Sequence, residues 1–209
     1  MKLNLGCGPV QPAGWVNVDY SYRARLATRL PWVDRALVRA GAIAETEFRP
    51  GLAVVDLERP LPWAEGSADA VYGGEMLEHF TEPRAMALLR ECFRVLRSGG
   101  VLRMRVPDNA RYWGNYLRDY EAMRARPRAE WNDDHVRWTR DFFNEICVRP
   151  RLGFFGHFHK WAFDEVSLCL AFERAGFREV ERRGLHQSRI ADVATVELRD
   201  DLTVEGVKP

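Results

Sequence analysis

Residues 3–21 read LNLGCGPVQPAGWVNVDYS, and their order decides the fold. A short apolar strand, Lys2 to Leu5, runs into Gly6-Cys7-Gly8-Pro9, and a second strand, with Trp15, Val16 and Val18, closes on Asp19. A glycine turn after a first strand lets backbone approach a ligand closely, because no Cβ intervenes. A carboxylate closing the second strand can accept from both hydroxyls of a ribose. Gly6, Gly8 and Asp19 therefore predict a site for a nucleoside-bearing cofactor, outside the carboxyl ends of the strands of an open α/β sheet.

The same stretch disfavours a dinucleotide. A pyrophosphate cradle needs a third glycine to seat a helix, and Gln11 stands in its place. Pro12 and Gly14 break the helix that should follow. Asp19 also comes sooner after the turn than the roughly 20 residues expected of a nicotinamide site. A nicotinamide-dependent oxidoreductase is thereby disfavoured.

Working outward, strands and helices alternate. Residues 22–47 carry apolar positions at helical spacing, interrupted by Pro31. A third strand, Ala53 to Val55, closes on Asp56, and a fourth, Ala70 to Tyr72, ends on Gly73-Gly74. Pro83 opens a helix with a Met86, Leu89, Cys92, Phe93 and Leu96 stripe, which Gly99-Gly100 is expected to cap. VLRMRVPD supplies a fifth strand. Asp164 is the expected N-cap of a helix that ends at Gly176. REVERRGL and VATVELRD read as two last strands joined by a loop, so the final strand is expected to be antiparallel. The whole predicts an α/β fold with an open, mostly parallel sheet, in one domain spanning 1–209. Residues 109–160, crowded with aromatics from Tyr112 to Phe158, are too long for a simple connection. They are expected to form a helical cap or lid over the sheet's open edge.

Composition narrows the function classes. A charged fraction of 29% with a net charge of +1 argues against a broad nucleic-acid footprint. No run approaches the roughly 18 apolar residues of a membrane span, and MKLNLGCGP lacks the apolar stretch of a secretory signal, so a cytoplasmic protein is the expectation. Cys7, Cys92, Cys147 and Cys169 have neither CxxC spacing nor a disulfide framework.

Several blocks resemble, in order, the class I S-adenosylmethionine-dependent methyltransferases, in particular a small bacterial group with an LNLGCG…NVD N-terminus. The blocks are LNLGCGP, VNVDYS, VVDLERPLPWAEGSADAVYGGEMLEHF, LLRECFRVLRSGGVLRMRVPD and HKWAFDEVSLCLAFERAGF. The resemblance implies a Rossmann-like methyltransferase sheet and S-adenosylmethionine as cofactor, with S-adenosylhomocysteine as its product. It also implies roles. Gly6, the Cys7 backbone and Gly8 would border the methionine part. Asp19, with Tyr20 beside it, would hold the ribose, Asp56 the adenine amine and Leu57 the adenine ring. Glu75 would lie near the methionine and sulfonium. Asn4 stands where many such enzymes carry Asp or Glu, and would accept from the cofactor ammonium without charge assistance.

Methyl transfer to a hydroxyl can require a base, and the candidates are His79, Asp108 and His159, with His157 less anchored to the motifs. His79, in LEHF, is read equally as a base or, with Glu78, as a cap of the following helix. His157-x-His159 has the spacing of a metal pair, but no third ligand stands at convincing spacing, so no metal is expected. The acceptor expected is a small molecule, first a sugar or glycoconjugate hydroxyl, then a natural-product phenol or carboxylate. The alternative is a non-catalytic cofactor-binding or partner subunit. A nucleic-acid acceptor is disfavoured.

Overall fold

The computed structural model describes residues 1–43, 48, 51–140 and 158–209. The end of the first helical stretch, Cys147, His157 and the aromatics Phe142, Phe143, Phe154 and Phe155 lie outside the described residues.

Seven strands form one sheet: β1 (Lys2–Leu5), β2 (Val16–Asp19), β3 (Ala53–Val54), β4 (Ala68–Gly74), β5 (Leu96–Val106), β6 (Arg178–Arg182) and β7 (Leu202–Val207). Their spatial order is β3-β2-β1-β4-β5-β7-β6. The first five run parallel, while β7 is antiparallel to both β5 and β6. This is the Rossmann-like methyltransferase sheet with an antiparallel end. The chain builds outward from β1 through β2 to β3, then returns to lay β4 on the other side of β1. The resulting switch point opens a crevice at the carboxyl ends of β1 and β4, where α/β sheets take ligands.

Helices α1 (Tyr22–Arg29) and α2 (Pro31–Arg39) follow β2, and Pro31 opens α2 at a position where its missing N–H costs nothing. Between β4 and β5 runs α3 (Glu82–Val95), which buries Ala85, Leu88, Leu89, Cys92 and Val95. The expected glycine cap does not form. The helix stops at Leu96, already extended at φ −68° and ψ 139°, because β5 starts there; Gly99 and Gly100 lie within that strand. Helix α4 (Asn109–Arg124) follows β5, and α5 (Glu165–Ala175) precedes β6. As expected, α5 opens on a reciprocal Asp164–Ser167 capping box and ends on Gly176 at φ +108°.

Alternation along β5 separates two faces. Leu102, Met104 and Val106 enter the main core with α3 and α5, while Val101 faces a second cluster of Trp15, Ala70, Tyr72, Ile190, Val193 and Val196. That second face is covered by irregular chain. Residues 193–200, expected as the last strand, are instead a single helical turn, Val193–Thr195, and a loop. Val193 and Val196 are buried at the spacing of a turn, and Glu197 points inward to Arg103. The true last strand was obscured by Gly206, where a Cβ would meet Phe172 at 3.0 Å and Phe177 at 3.1 Å.

The described part of the aromatic insertion includes α4, a turn at Arg128–Glu130 and helical residues 136–140. Only Met123 of α4 is buried. Tyr116 stacks on Tyr120, and both contact His135, while Tyr112 meets Trp138 edge-on. Among the described residues, no helix is long and apolar enough to cross a membrane.

Candidate cofactor and acceptor site

The glycine turn is built by main-chain hydrogen bonds. Cys7 N donates to Val18 O at 2.9 Å, tying the turn to β2, and Val10 N donates to Cys7 O at 3.0 Å. Gly6 sits at φ +64°, where an added Cβ would lie 2.6 Å from Met76 Cγ. Neither the backbone nor the space admits another residue there. Gly8, at φ +51°, has nothing within 4 Å of such a Cβ, so its backbone borders open space. Asp19 is fixed from both sides: Oδ2 accepts from Gly8 N at 3.0 Å and Oδ1 from Ser21 N at 2.7 Å. The carboxylate therefore braces the turn while its remaining lone pairs are available to a ligand.

Beside this turn lies a cavity of about 470 Å³, lined by Gly6, Gly8, Asp19, Tyr20, Ser21, Asp56, Leu57, Glu58, Glu75, Met76, His79, Phe80 and Lys160. Seven of the nine residues expected at the cofactor and one of the three base candidates meet there. The sequence reading missed Ser21, Glu58, Met76, Phe80 and Lys160. Met76 and Phe80 flank the LEH turn and differ in no sequence signal from core residues. Asp56 is held by Glu58 N, which donates to its Oδ1 at 3.0 Å. Glu75 lies just past β4 at φ +53°, an uncommon conformation for a side chain of its size, and its N–H donates to Arg105 O at 2.9 Å.

Three expected residues are placed elsewhere. Asn4 Nδ2 donates to Val10 O at 2.9 Å and Asn17 Oδ1 at 3.0 Å, so this side chain braces the glycine turn from behind. Asn4 and Cys7 both line a separate cavity of about 90 Å³. Burial pushes the Cys7 thiol up to about 12, which leaves it protonated and inert. Asp108 is the N-cap of α4: Oδ1 accepts from Arg111 N at 3.2 Å and Oδ2 pairs with Arg182 at 3.3 Å. It lies outside the cavity lining, on a structural cap.

At the His79 wall of the cavity, two distant segments meet. A single helical turn, Leu77–His79, presents Glu78 and His79, and Glu78 O accepts from the N–H groups of Lys160 and Trp161 at 2.7 and 3.2 Å. This holds His159 against His79, with ring centroids 5.0 Å apart and edge-on. His79 Nδ1 lies 3.1 Å from Phe158 O. A carbonyl only accepts, so Nδ1 carries a proton in this contact. Burial lowers the His159 pKa, favouring the neutral ring. Glu78 is 1% exposed, and burial pushes its carboxyl up to about 8.

The cavity has a volume typical of small-ligand sites. An apolar wall at Leu57 and Phe80, two carboxylates at adjacent strand ends and open backbone at Gly8 suit a nucleoside with a cationic tail. Residues 3–104 match a family model described as a methyltransferase domain. Together with the sheet order, this defines the class by fold: the chain has the fold of the class I S-adenosylmethionine-dependent methyltransferases, the class whose cofactor is S-adenosylmethionine. Among solved structures, an S-adenosylmethionine-dependent methyltransferase from Archaeoglobus fulgidus is similar at 13% identity and a TM-score of 0.53, over 99% of this chain and 85% of the other. The S-adenosylmethionine-dependent methyltransferase SibL in its apo form is similar at 14% identity and a TM-score of 0.52, over 100% of this chain and 50% of the other. At these identities the likeness is one of fold. No curated protein matches the chain.

Proposed function

We propose that the protein transfers a methyl group from S-adenosylmethionine to a small-molecule acceptor in the cytoplasm, with a hydroxyl oxygen of a sugar, glycoconjugate or natural product as the first class to test. The observation that carries this reading is the cavity that gathers Gly6, Gly8, Asp19, Asp56 and Glu75 from four strand ends. In this reading Gly6 and Gly8 border the methionine portion, and Asp19 accepts from the ribose hydroxyls with Tyr20 at the rim. Asp56 accepts from the adenine amine, Leu57 packs on the ring, and Glu75 faces the sulfonium side.

Bound cofactor supplies a methyl group already activated for in-line displacement. The chain's part is to align the acceptor, exclude water and take the proton that a hydroxyl must lose. His79 lines the cavity and His159 stands against it, so proton removal belongs to that corner. Asp108, committed to its helix cap, is not part of it. The insertion at 109–160 is proposed to cover the acceptor as a cap.

Calorimetry with S-adenosylmethionine, S-adenosylhomocysteine and NAD tests the cofactor site. Both adenosyl compounds are expected to bind and NAD is not. Asp19→Ala removes two hydrogen bonds to a charged group, each worth about 1.5–3 kcal/mol, so Kd should rise by about 100-fold or more. Transfer of labelled methyl to a panel of sugars, phenols and carboxylates then identifies the acceptor. Failure of the native protein to bind either adenosyl compound would overturn the reading, and binding with no transfer across the panel would favour a non-catalytic subunit.

A further inference from the structure

Glu78 is an acidic side chain buried beside the cavity, and neither of its carboxyl oxygens has a hydrogen-bond partner among the described residues. A buried carboxyl without a donor is costly unless a cation answers it. Two histidines do face it. His159 Nε2 lies 3.9 Å from Glu78 Oε1, and one ligand atom from each of Glu78, His79 and His159 lies within 4.8 Å of the others.

We infer that Glu78, His79 and His159 bind a divalent first-row transition-metal ion at the acceptor-side wall of the cavity. Two imidazoles and one carboxylate form a donor set that suits zinc, cobalt, manganese or iron(II), rather than the all-oxygen shells of magnesium and calcium. His79 Nδ1 is engaged by Phe158 O, which assigns any metal bond of this ring to Nε2. Such outer-shell carbonyls commonly orient ligating histidines. With metal–ligand distances of about 2.0–2.2 Å, the three donors must draw together by under about 1 Å, within reach of side-chain rotation. Three protein ligands leave coordination positions open, and His79 places them against the cavity.

This inference rests on the methyltransferase reading for its purpose. An acceptor oxygen on the ion would be oriented and acidified there, so the metal would do at this corner what a base would otherwise do. The two histidines are then ligands, and the third ligand that sequence spacing failed to reveal is Glu78, about 80 residues from His159.

The experiment uses tag-free full-length protein stripped with a chelator, titrated with Zn2+ by calorimetry and with Co2+ by visible absorption. One equivalent of Zn2+ is expected to bind with Kd below about 1 µM, and Co2+ to give a ligand-field band. Glu78→Gln should weaken Zn2+ by at least about 100-fold, and His159→Ala should abolish the Co2+ band. S-adenosylhomocysteine titration and melting of the same variants report whether they are folded. Uptake below about 0.2 equivalents at 50 µM Zn2+, or binding unchanged in both folded variants, would overturn the metal site. Loss of S-adenosylhomocysteine binding by the native protein would instead overturn the methyltransferase reading, and the Zn2+ result would stand on its own.

Discussion

Arg103→Met tests the polar core that closes the back face of the sheet. Arg103 heads the largest fully buried side chains, and its guanidinium serves five acceptors. It donates to Glu197 Oε1 at 3.0 Å and Oε2 at 2.8 Å, to Glu205 Oε2 at 3.3 Å, and to the carbonyls of Gln187 and Gly184, both at 2.9 Å. All three charged side chains are 0% exposed. Methionine occupies similar space but donates nothing, which leaves buried Glu197 without its cation and Glu205 with Arg189 alone. Breaking a buried pair from one side costs about 3–5 kcal/mol, and the middle of that range applies here, because Gly184 O keeps the Gln187 N–H at 3.1 Å and Glu205 keeps the Arg189 guanidinium at 3.5 Å. At about 2–4 °C per kcal/mol for a chain of this length, the melting midpoint should fall by about 12 °C, read by circular dichroism at pH 7. Adding Glu197→Gln removes one uncompensated charge and should recover several degrees. A single variant within about 3 °C of the parent, or a double variant less stable than the single, would refute the argument that buried charge dominates here.

Gly6→Ala meets both a φ of +64° and Met76 Cγ at 2.6 Å; it should lose at least about 2 kcal/mol of stability in urea unfolding along with S-adenosylhomocysteine binding, whereas Gly8→Ala, with open space around it, should lose only about 1–2 kcal/mol of backbone strain. Asp164→Ala deletes the capping box of α5 and should cost about 1 kcal/mol at pH 7. Hydrogen bonds from Ser167 hold the Asp164 carboxyl below its ordinary range, so this contribution is complete above the unfolded value near about 3.9 and fades as pH falls through the folded one. The parent and variant urea midpoints should therefore converge in acid, and a gap that stays constant to pH 2 would contradict the cap. Asp108→Asn keeps the cap but loses the pair with half-exposed Arg182; it should cost under about 1 kcal/mol and change turnover by less than about threefold, and a 100-fold loss in kcat would put Asp108 in the chemistry.

The strand-end half of the cavity was legible because its requirements are local. A turn with no Cβ at Gly6, and carboxylates that end strands at Asp19 and Asp56, each leave a mark in a few consecutive residues, and parallel strands then bring those marks to one edge. Asn4 misled for the same reason. Its place in the strand is visible, but its amide is engaged by Val10 and Asn17, which only the folded turn brings near. The last strand was misplaced because a buried turn at Val193–Val196 carries more β-branched residues than a strand that must yield space at Gly206.

The Glu78–His79–His159 corner was illegible in a different way. LEH and HKW each read as short motifs beside a helix, and neither contains a site alone. Main-chain bonds from Lys160 and Trp161 to Glu78 O join them, and these depend on backbone geometry rather than on which side chains are present. Once joined, Glu78 acquires its meaning from what surrounds it: a carboxyl with no donor, 3.9 Å from one histidine and next in sequence to another. A cap for the following helix would expose an oxygen to the first N–H groups of α3, yet Thr81 stands at that N-cap position and the Glu78 oxygens reach none of them. The capping explanation of Glu78 therefore fails on geometry, and the groups that its oxygens face are the two imidazoles.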